Sequence, residues 1–520
     1  MKNRLRYLPY VFLLALLPVM VLRDFTPSNE LRYLSIADEA LRDGHLFAFT
    51  NQGEPYADKP PLYLWIVMLG KMLFGGHRMW FLTLFSFVPA IVILRTMDRW
   101  VRSSLDERAR LCGAMMLMTC GLFLGLAVFL RMDMLMCMFI TLALHTFWRI
   151  YSSPDGGSSR DRTLFPVFVF AALFTKGPVG VLVPLLSTVA FLAVAGRLRT
   201  LGRYWGLRTW AILAAGCALW FFMVWRDGGT EYLDNLLFHQ TIDRAVDAFH
   251  HKAPVYYYLV TMWYSLAPWS LLMACVWGTA VVGRIALTDL DKFFLTVILS
   301  TLAMLSAFSS KIAVYLAPTF PFFVYATLLA AGRIRRNGWI TAAVAVPAVL
   351  WCAGLAGVIV AGYAFDVALV RNGWCVAAGG ALSVSGVWAL MRLRRGDFPY
   401  ESINILAAGL LAAVFVGGFA LPRMNDEIGY GNLCRAAEEV SAEKGLSGYY
   451  VWRMHRPESM DVYFGEDVVQ VDTDEVVAGR CADGVLILPE RRLERDEEMR
   501  RFVAGREVRR VGGYMVIGMD

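Results

Sequence analysis

Long apolar runs alternate with short charged segments over residues 1–421. A helix needs about 20 apolar residues to cross the hydrocarbon core of a bilayer, and fewer where polar groups reach the interface. The pattern predicts an α-helical polytopic membrane protein with about thirteen transmembrane helices. The predicted spans lie near residues 7–22, 78–96, 111–130, 134–150, 163–174, 179–196, 207–224, 256–283, 292–308, 312–331, 338–364, 374–391 and 402–421.

Arginine clusters between these runs predict the orientation. The basic end before the first span is expected in the cytoplasm, and alternate loops then carry every dense arginine cluster, as the positive-inside rule requires. The apolar run 62–74 is short and holds Lys71, so we interpret it as an interfacial helix; counting it as a span would put the arginine clusters outside. The sequence thus predicts a bacterial inner-membrane protein with a cytoplasmic N-terminus and residues 422–520 in the periplasm.

The composition changes sharply after residue 421, where the apolar runs end. We predict a transmembrane catalytic domain over 1–421, with outer loops 23–61 and 225–255, and a small periplasmic α/β domain over 422–520. Cys434 and Cys481 in this tail could pair if it is exported. Its predicted elements are a helix from Leu433 to Lys444, strands from Tyr449 to Met454, Val468 to Val471 and Gly484 to Leu488, a helix from Leu493 to Val503 and a final strand.

Composition argues against other classes of protein. Of 520 residues, 58% are hydrophobic and 18% are charged, whereas a soluble domain has about one quarter charged residues. The net charge of +7 comes from the clusters between apolar runs and forms no basic stripe, so nucleic-acid binding is not favoured. Nothing in the sequence requires a cofactor; a divalent metal is an open alternative, with His239, His250 and His251 as weak ligand candidates.

Ionisable residues gather at the predicted outer ends of the spans. The runs 111–130, 256–283, 338–364, 374–391 and 402–421 contain no charged residue. A transporter or a lipid flippase would place functional charges near the bilayer midplane, so this pattern favours a reaction centre at the outer interface. Acids and bases from at least five separate segments are expected to converge there.

This mixture of groups suits the transfer of a group from a lipid-linked phosphate. A leaving phosphate needs cations for its developing charge, and an incoming hydroxyl needs a carboxylate base. Lys59 and Lys176 each lie beside proline or glycine in a tight turn at the end of a span, which fixes an ammonium group at the interface. Arg23 and Arg131, taken alone, are interpreted as interfacial side chains that extend toward water.

The ordered motifs resemble those of a known family. Residues 30–33 (Glu-Leu-Arg-Tyr) and 56–63 (Tyr-Ala-Asp-Lys-Pro-Pro-Leu-Tyr) resemble the first-loop segment of the bacterial lipid A aminoarabinose transferases, which group with the protein O-mannosyltransferases in the GT-C glycosyltransferase superfamily. The resemblance covers about residues 1–330 in collinear order. It continues through Asp133, the segment 175–178, the loop 239–244, the segment 251–254, Pro268-Trp269, Ser310-Lys311 and Tyr315.

The resemblance implies an inverting transfer of a sugar from a polyprenyl phosphate, without a nucleotide sugar. By position it implies that Arg32, Tyr56, Lys59, Arg244, Tyr315, Lys176 and Lys311 bind the donor phosphate. The family's first acidic residue is replaced by Asn29, which cannot act as a carboxylate base. The predicted catalytic carboxylates are therefore Glu30 and Asp133, with Asp24 next, unless the acceptor is a phosphate that needs little deprotonation.

Three functions follow as alternatives. The first is transfer of a sugar, such as 4-amino-4-deoxy-L-arabinose or another monosaccharide, to lipid A or a related glycolipid. The second is the same chemistry on serine or threonine of exported proteins. The third is a lipid or polysaccharide flippase, which the absence of charges from five predicted spans disfavours.

Overall fold

A computed structural model describes residues 4–237 and 253–519, which form two compact units. The first unit consists of Met1–Met20, Tyr56–Tyr63 and Trp80–Gly418, and the second consists of Val21–Pro55, Leu64–Met79 and Phe419–Asp520. In chain order the helices up to residue 418 are α1 (Arg4–Leu22), α2 (Arg32–Asp43), α3 (Leu62–Phe74), α4 (Met79–Trp100), α5 (Glu107–Thr119), α6 (Gly121–Leu126), α7 (Asp133–Ser152), α8 (Ser159–Lys176), α9 (Val179–Val194), α10 (Leu207–Asp234), α11 (Tyr257–Ser265), α12 (Ser270–Val282), α13 (Asp289–Ala307), α14 (Phe320–Ala331), α15 (Gly338–Cys352), α16 (Gly354–Tyr363), α17 (Gly373–Arg392) and α18 (Tyr400–Gly418).

The protein is a multi-pass helical membrane protein, as predicted. Every predicted span coincides with a helix or with two helices in succession. Within the described residues, eight helical segments are long and apolar enough to cross a membrane, or ten if each of two bent pairs is one span. The predicted count of about thirteen is therefore not confirmed.

Three predicted spans account for the difference, each for a physical reason. The run 111–130 is divided at Cys120 between α5 and α6, so neither helix has the length of a span. Helix α8 carries Arg160, Asp161 and Arg162 in its first turn and Lys176 at its end. Helix α9 has 16 residues. Helix α3, the predicted interfacial segment, has 13 residues and is likewise short of a full crossing.

Aromatic side chains contact one another inside the first unit. The ring of Trp100 on α4 lies edge-on to that of Phe294 on α13, with centroids 5.1 Å apart. Phe191 on α9 and Phe293 on α13 have centroids 4.8 Å apart. Such tilted and edge-on contacts add to the free energy gained from burying the rings. Helices α7 and α8 pack beside each other and are joined by a short loop over residues 153–158.

The second unit contains a five-stranded sheet in the chain's tail. Its strands are β3 (Tyr449–Trp452), β4 (Val469–Val471), β5 (Gly484–Pro489), β6 (Arg509–Val511) and β7 (Tyr514–Met519), in the order β4-β3-β5-β7-β6. The first three are mutually parallel, and β7 pairs antiparallel with β5 and β6. The tail helices are α19 (Leu421–Ile428), α20 (Gly431–Lys444), α21 (Asp461–Phe464), α22 (Thr473–Val477), α23 (Glu490–Leu493) and α24 (Glu497–Val503).

The tail contains the predicted elements in the predicted order, and it also contains helices α19, α21 and α22 and two final strands, β6 and β7, where one was predicted. The predicted helix from Leu493 to Val503 is divided between α23 and α24, because Asp496 caps the second helix by accepting a hydrogen bond from the Met499 N–H. Cys434 and Cys481 are both buried as free thiols, so the structure does not contain the disulfide considered from the sequence. Burial raises the pKa of the Cys481 thiol to about 11, which keeps it protonated and unreactive.

The same unit includes a small hairpin from the predicted first outer loop, formed by β1 (Thr50–Asn51) and β2 (Glu54–Pro55). Glu39 on α2 holds the hairpin turn. Its carboxylate accepts hydrogen bonds from the Thr50 hydroxyl at 2.5 Å and from the backbone N–H groups of Gln52 and Gly53 at 2.7 and 2.8 Å. Three hydrogen bonds compensate the loss of water around this buried carboxylate.

Candidate active site

A buried ion pair joins Asp133 to Lys176 in the first unit. Asp133 is the first residue of α7 and Lys176 is the last residue of α8. Because α7 and α8 are joined by a short loop at their other ends, the start of one helix and the end of the other come together. The Lys176 ammonium donates a hydrogen bond to Oδ1 of Asp133. An acid at a helix N-terminus and a base at a helix C-terminus also complement the two helix dipoles.

The turn after Lys176 depends on glycine at two positions. Gly177 has φ = +92°, in the region that disfavours residues with a Cβ atom. A Cβ atom at Gly180 would come within 2.3 Å of the backbone carbon of Ala172. Only glycine therefore lets α9 start so close to the end of α8. This constraint fixes the backbone of the turn that follows Lys176.

Arg131 completes the ion-pair cluster. Its Nε lies 3.0 Å from Oδ2 of Asp133, so each carboxylate oxygen faces a different cation. The Asp133 side chain is 2% exposed and that of Lys176 is 7% exposed, which strengthens the attraction between opposite charges. The sequence-based interpretation of Arg131 as an interfacial side chain missed this contact. The signal available was the two-residue spacing of Arg131 and Asp133 at the start of a helix.

Tyr315 packs its ring against the Lys176 ammonium group, which lies 4.6 Å from the ring centroid. Tyr315 lies in the 3₁₀ helix Ala313–Thr319, which packs against α7. Lys311, just before that helix, is buried and donates a hydrogen bond to the Phe308 carbonyl at the end of α13. The structure thus places Tyr315 in the Asp133–Lys176 cluster, whereas Lys311 binds the carbonyl at a helix end.

The motif Tyr56-Ala57-Asp58-Lys59 forms a second polar group in the first unit. The Lys59 ammonium lies 3.1 Å from Oδ2 of Asp58, and the Tyr56 hydroxyl lies 3.4 Å from the same oxygen. Tyr232 on α10 donates a hydrogen bond to the Tyr56 carbonyl at 2.8 Å and so fixes the backbone of the motif. The positive charge of Lys59 repels that of Lys176, which places Lys59 within electrostatic range of the ion-pair cluster.

In the second unit, Glu30 is the centre of a buried structural contact. Arg23 donates hydrogen bonds to both carboxylate oxygens, at 2.6 and 2.7 Å. The backbone N–H and the hydroxyl of Thr26 donate to Oε2 at 2.8 and 3.0 Å. Arg23 is 7% exposed, so its interpretation as an interfacial side chain extending toward water is wrong. A carboxylate already bound to four donors is poorly suited to take a proton from a substrate.

Asp24 joins the first loop to the tail, inside the same unit. Its Oδ1 accepts hydrogen bonds from the Phe25 N–H at 2.8 Å and from the Tyr463 hydroxyl at 2.9 Å. Its Oδ2 accepts from the Gly431 N–H at 2.8 Å. Burial, followed by the negative charge of Asp24, raises the pKa of the Tyr463 hydroxyl well above its usual value. The geometry therefore gives Asp24 a structural role.

The remaining predicted residues are placed as follows. The Arg32 guanidinium, in the second unit, lies 5.8 Å from the ring centroid of Tyr33. Arg244, His239, His250 and His251 lie outside the described residues. In the described ranges 4–237 and 253–519, no group of three or more histidine, cysteine or acidic side chains could hold a metal ion.

The first-unit cluster combines the groups that phosphate departure and proton transfer require. Lys176, Arg131 and Lys59 are cations, and Asp133 is a buried carboxylate held between two of them. Cations fixed in a low-dielectric site stabilise negative charge that develops on a leaving phosphate. A carboxylate whose counter-cations move to that phosphate becomes a base.

Comparisons with known proteins agree with this chemistry. Residues 58–226 match the family described as dolichyl-phosphate-mannose-protein mannosyltransferase. The chain is 26% identical over 480 residues to undecaprenyl phosphate-alpha-4-amino-4-deoxy-L-arabinose arabinosyl transferase 1 of Pseudomonas fluorescens, covering 85% of this chain and 79% of that protein. It is 27% identical over 256 residues to the corresponding transferase of Pseudomonas aeruginosa, covering 47% of this chain and 45% of that protein.

The fold is that of a solved relative. ArnT from Cupriavidus metallidurans bound to undecaprenyl phosphate superposes with a TM-score of 0.77 at 16% identity, covering 99% of this chain and 98% of that one. The apo state of the same protein gives a TM-score of 0.75 at 17% identity. The structural matches confirm the predicted fold. Together with the family match and the sequence relatives, they confirm the predicted resemblance and the predicted enzyme class, a glycosyltransferase.

Proposed function

We propose that this GT-C-type glycosyltransferase moves a monosaccharide from a polyprenyl-phosphate donor to lipid A or a related glycolipid, with inversion, on the periplasmic face of the bacterial inner membrane. The observation that carries the proposal is the buried Asp133 carboxylate held between Arg131 and Lys176, with Lys59 in electrostatic range. The names of the similar proteins, which include undecaprenyl phosphate and 4-amino-4-deoxy-L-arabinose, support this donor class. The arginine clusters on alternate loops support the orientation.

In the proposed reaction the donor phosphate competes with Asp133 for its cations. An acceptor oxygen attacks the anomeric carbon and forms a new C–O bond on the face opposite the leaving group, so the configuration inverts. The bond from the anomeric carbon to the phosphate oxygen breaks, and its electron pair stays on polyprenyl phosphate. Lys176, Lys59 and Arg131 stabilise the negative charge that develops there.

Asp133 is the proposed general base when the acceptor is a hydroxyl group. Its carboxylate takes the acceptor proton as the C–O bond forms, which becomes easier once Lys176 has turned to the phosphate. Glu30 and Asp24 are less suited to this role because hydrogen-bond donors within the second unit already occupy their oxygens. If the acceptor is a phosphate group of lipid A, its oxygen is already anionic and needs no base.

Purified protein in proteoliposomes tests the donor directly. Undecaprenyl phosphate carrying 4-amino-4-deoxy-L-arabinose is offered with lipid A, and the product is followed by mass spectrometry. The expected result is a mass increase of lipid A equal to one sugar residue, with release of undecaprenyl phosphate. If neither product forms with this donor, or with any of a panel of other polyprenyl-phosphate monosaccharides, the proposed reaction is rejected.

The family match over residues 58–226 favours one alternative acceptor, an exported protein. The chemistry at the donor is the same, and a serine or threonine hydroxyl replaces the lipid A oxygen. Labelling of membranes from a deletion strain separates the two acceptors. Loss of a mass shift in lipid A supports the glycolipid, whereas loss of a glycoprotein band supports the protein acceptor.

A further inference from the structure

A basic cavity lies within the first unit, away from the Asp133 cluster. It has a volume of about 410 Å³ and lies where the first turn of α1 meets the end of α4 and the start of α5. Five arginines line it: Arg6, Arg95, Arg99, Arg102 and Arg110. Two carboxylates, Asp98 and Glu107, also line it, so the cavity has an excess of positive charge.

Ion pairing within the cavity is incomplete. Asp98 pairs with Arg110 at 2.8 Å and with Arg102 at 3.2 Å, using one carboxylate oxygen for each. Among the residues that the structure describes, Arg6, Arg95 and Arg99 have no ion-pair partner. Residues 95, 99 and 102 are spaced by four and three positions, so their side chains lie on one side of α4 and its extension. Three uncompensated guanidinium groups around one cavity attract an anion.

The neighbouring surface identifies the source of that anion. Next to Arg6, helix α1 exposes Tyr7, Tyr10 and Leu14 by 62%, 66% and 56%. In a helix long and apolar enough to span a membrane, an exposed apolar face contacts lipid chains, and tyrosines lie at the level of the headgroups. A lipid with its acyl chains on this face would have its headgroup over the arginines.

We propose that this cavity binds the phosphate of an anionic phospholipid, such as phosphatidylglycerol, at the predicted cytoplasmic surface. Guanidinium groups recognise phosphate oxygens through paired N–H donors. Arginines that serve only to orient a membrane protein need no concave site, whereas these line one. The proposal is independent of the sugar-transfer reaction, because it concerns a different set of residues.

Native mass spectrometry of the purified full chain tests the proposal. The protein is exchanged into micelles containing equal amounts of phosphatidylglycerol and phosphatidylcholine, and retained lipid is counted. The variant Arg95→Gln/Arg99→Gln is expected to retain phosphatidylglycerol roughly 30-fold less tightly, since each basic residue near an anionic lipid contributes about one kcal/mol. The control Arg394→Gln/Arg395→Gln removes two exposed arginines from another predicted cytoplasmic loop and should change retention less than twofold.

A second variant gives an opposite change that misfolding cannot imitate. Asp98→Asn removes the carboxylate that competes for Arg102 and Arg110, so retention of phosphatidylglycerol should increase several-fold. Equal retention of phosphatidylglycerol by wild type, Arg95→Gln/Arg99→Gln and Asp98→Asn would overturn the proposal. A loss of retention in the control Arg394→Gln/Arg395→Gln as large as that in Arg95→Gln/Arg99→Gln would also overturn it. If millimolar inorganic phosphate displaces the lipid, and the protein retains phosphatidylglycerol no better than phosphatidylcholine, then a lipid is not the source of the anion.

Discussion

The ammonium group of Lys176 donates a hydrogen bond to Asp133 although the two residues are 43 positions apart in the chain. Their helices are antiparallel neighbours, and this bond closes the end of the helix pair opposite the loop. In the structure Lys176 and Arg131 together satisfy the Asp133 carboxylate, and Asp133 satisfies the Lys176 ammonium group. We expect the donor phosphate to break this arrangement, so that the ion pair is a resting state of the catalytic groups.

Replacing the carboxylate tests whether Asp133 is the base. Asp133→Asn should reduce the turnover of sugar transfer to a hydroxyl acceptor by about 100-fold to 10,000-fold, the range that general-base catalysis contributes. Turnover is measured in proteoliposomes at saturating donor. Asp155→Asn, which neutralises an exposed carboxylate in the loop between α7 and α8, is the control and should match wild type. Wild-type turnover by correctly folded Asp133→Asn would remove Asp133 from the mechanism.

Tyr315 offers a test of how Lys176 is held. Its ring faces the ammonium group at 4.6 Å, a contact that Tyr315→Phe keeps and Tyr315→Leu loses. If the ring positions the ammonium group, Tyr315→Phe should leave the donor KM within about twofold of wild type, whereas Tyr315→Leu should raise it about threefold to tenfold. Equal increases in both variants would instead assign the effect to the lost hydroxyl and a direct contact with the donor phosphate.

The spans were predictable because each is a local property of the sequence. Every apolar run became helical, and the charges of α8 and the break at Cys120 explain why some runs fall short of a full span. Lys176 was expected near the site from its tight turn at the end of a span, and Tyr315 was expected there through the family resemblance. Their mutual contact was not predictable, since it depends on how α7, α8 and the 3₁₀ helix pack.

Two of the predicted catalytic carboxylates make structural contacts that the sequence does not indicate. Glu30 and Asp24 were predicted as catalytic because the residue type and the motif suited a base. In the structure Glu30 accepts hydrogen bonds from Arg23 and Thr26. Asp24 accepts hydrogen bonds from Gly431 and Tyr463. The last two partners lie about 400 positions away from Asp24 in the chain, and no pattern in the sequence indicates such pairing.

Glu30 should therefore matter for stability more than for chemistry. Glu30→Gln leaves the buried Arg23 without its counter-charge, which should lower the free energy of unfolding by about 3 kcal/mol. Thermal unfolding followed by fluorescence, with turnover per folded molecule, measures both effects. Glu54→Gln, at an exposed position of the same loop, should leave both unchanged.

A double replacement sharpens this test. Arg23→Met combined with Glu30→Leu removes both charges and should recover much of the lost stability, because no buried charge is left unpaired. If Glu30→Gln unfolds like wild type but has lost sugar transfer, Glu30 is catalytic and the structural role assigned to it is wrong.

Asp461 makes the stability of the second unit depend on pH. It lies outside the membrane-spanning helices and accepts a hydrogen bond from the Ser35 hydroxyl at 2.6 Å. Burial raises the pKa of its carboxyl from 3.8 to about 6. Because the folded state binds this proton more tightly than the unfolded state, the contribution favours folding at low pH. This contribution is lost as the pH rises from about 4 to about 6, and the free energy of unfolding then changes little above pH 6 through this group.

Asp461→Asn should remove this dependence, because an amide does not ionise. At pH 7 the variant should be more stable than wild type by up to about 3 kcal/mol, the free energy equivalent of the pKa shift. At pH 4, where the native carboxyl is protonated, the two proteins should have similar thermal midpoints. The midpoint of the full chain is measured from pH 4 to pH 8, with the exposed Asp483→Asn as the control. Parallel profiles for wild type and Asp461→Asn would show that burial does not raise the pKa of this carboxyl.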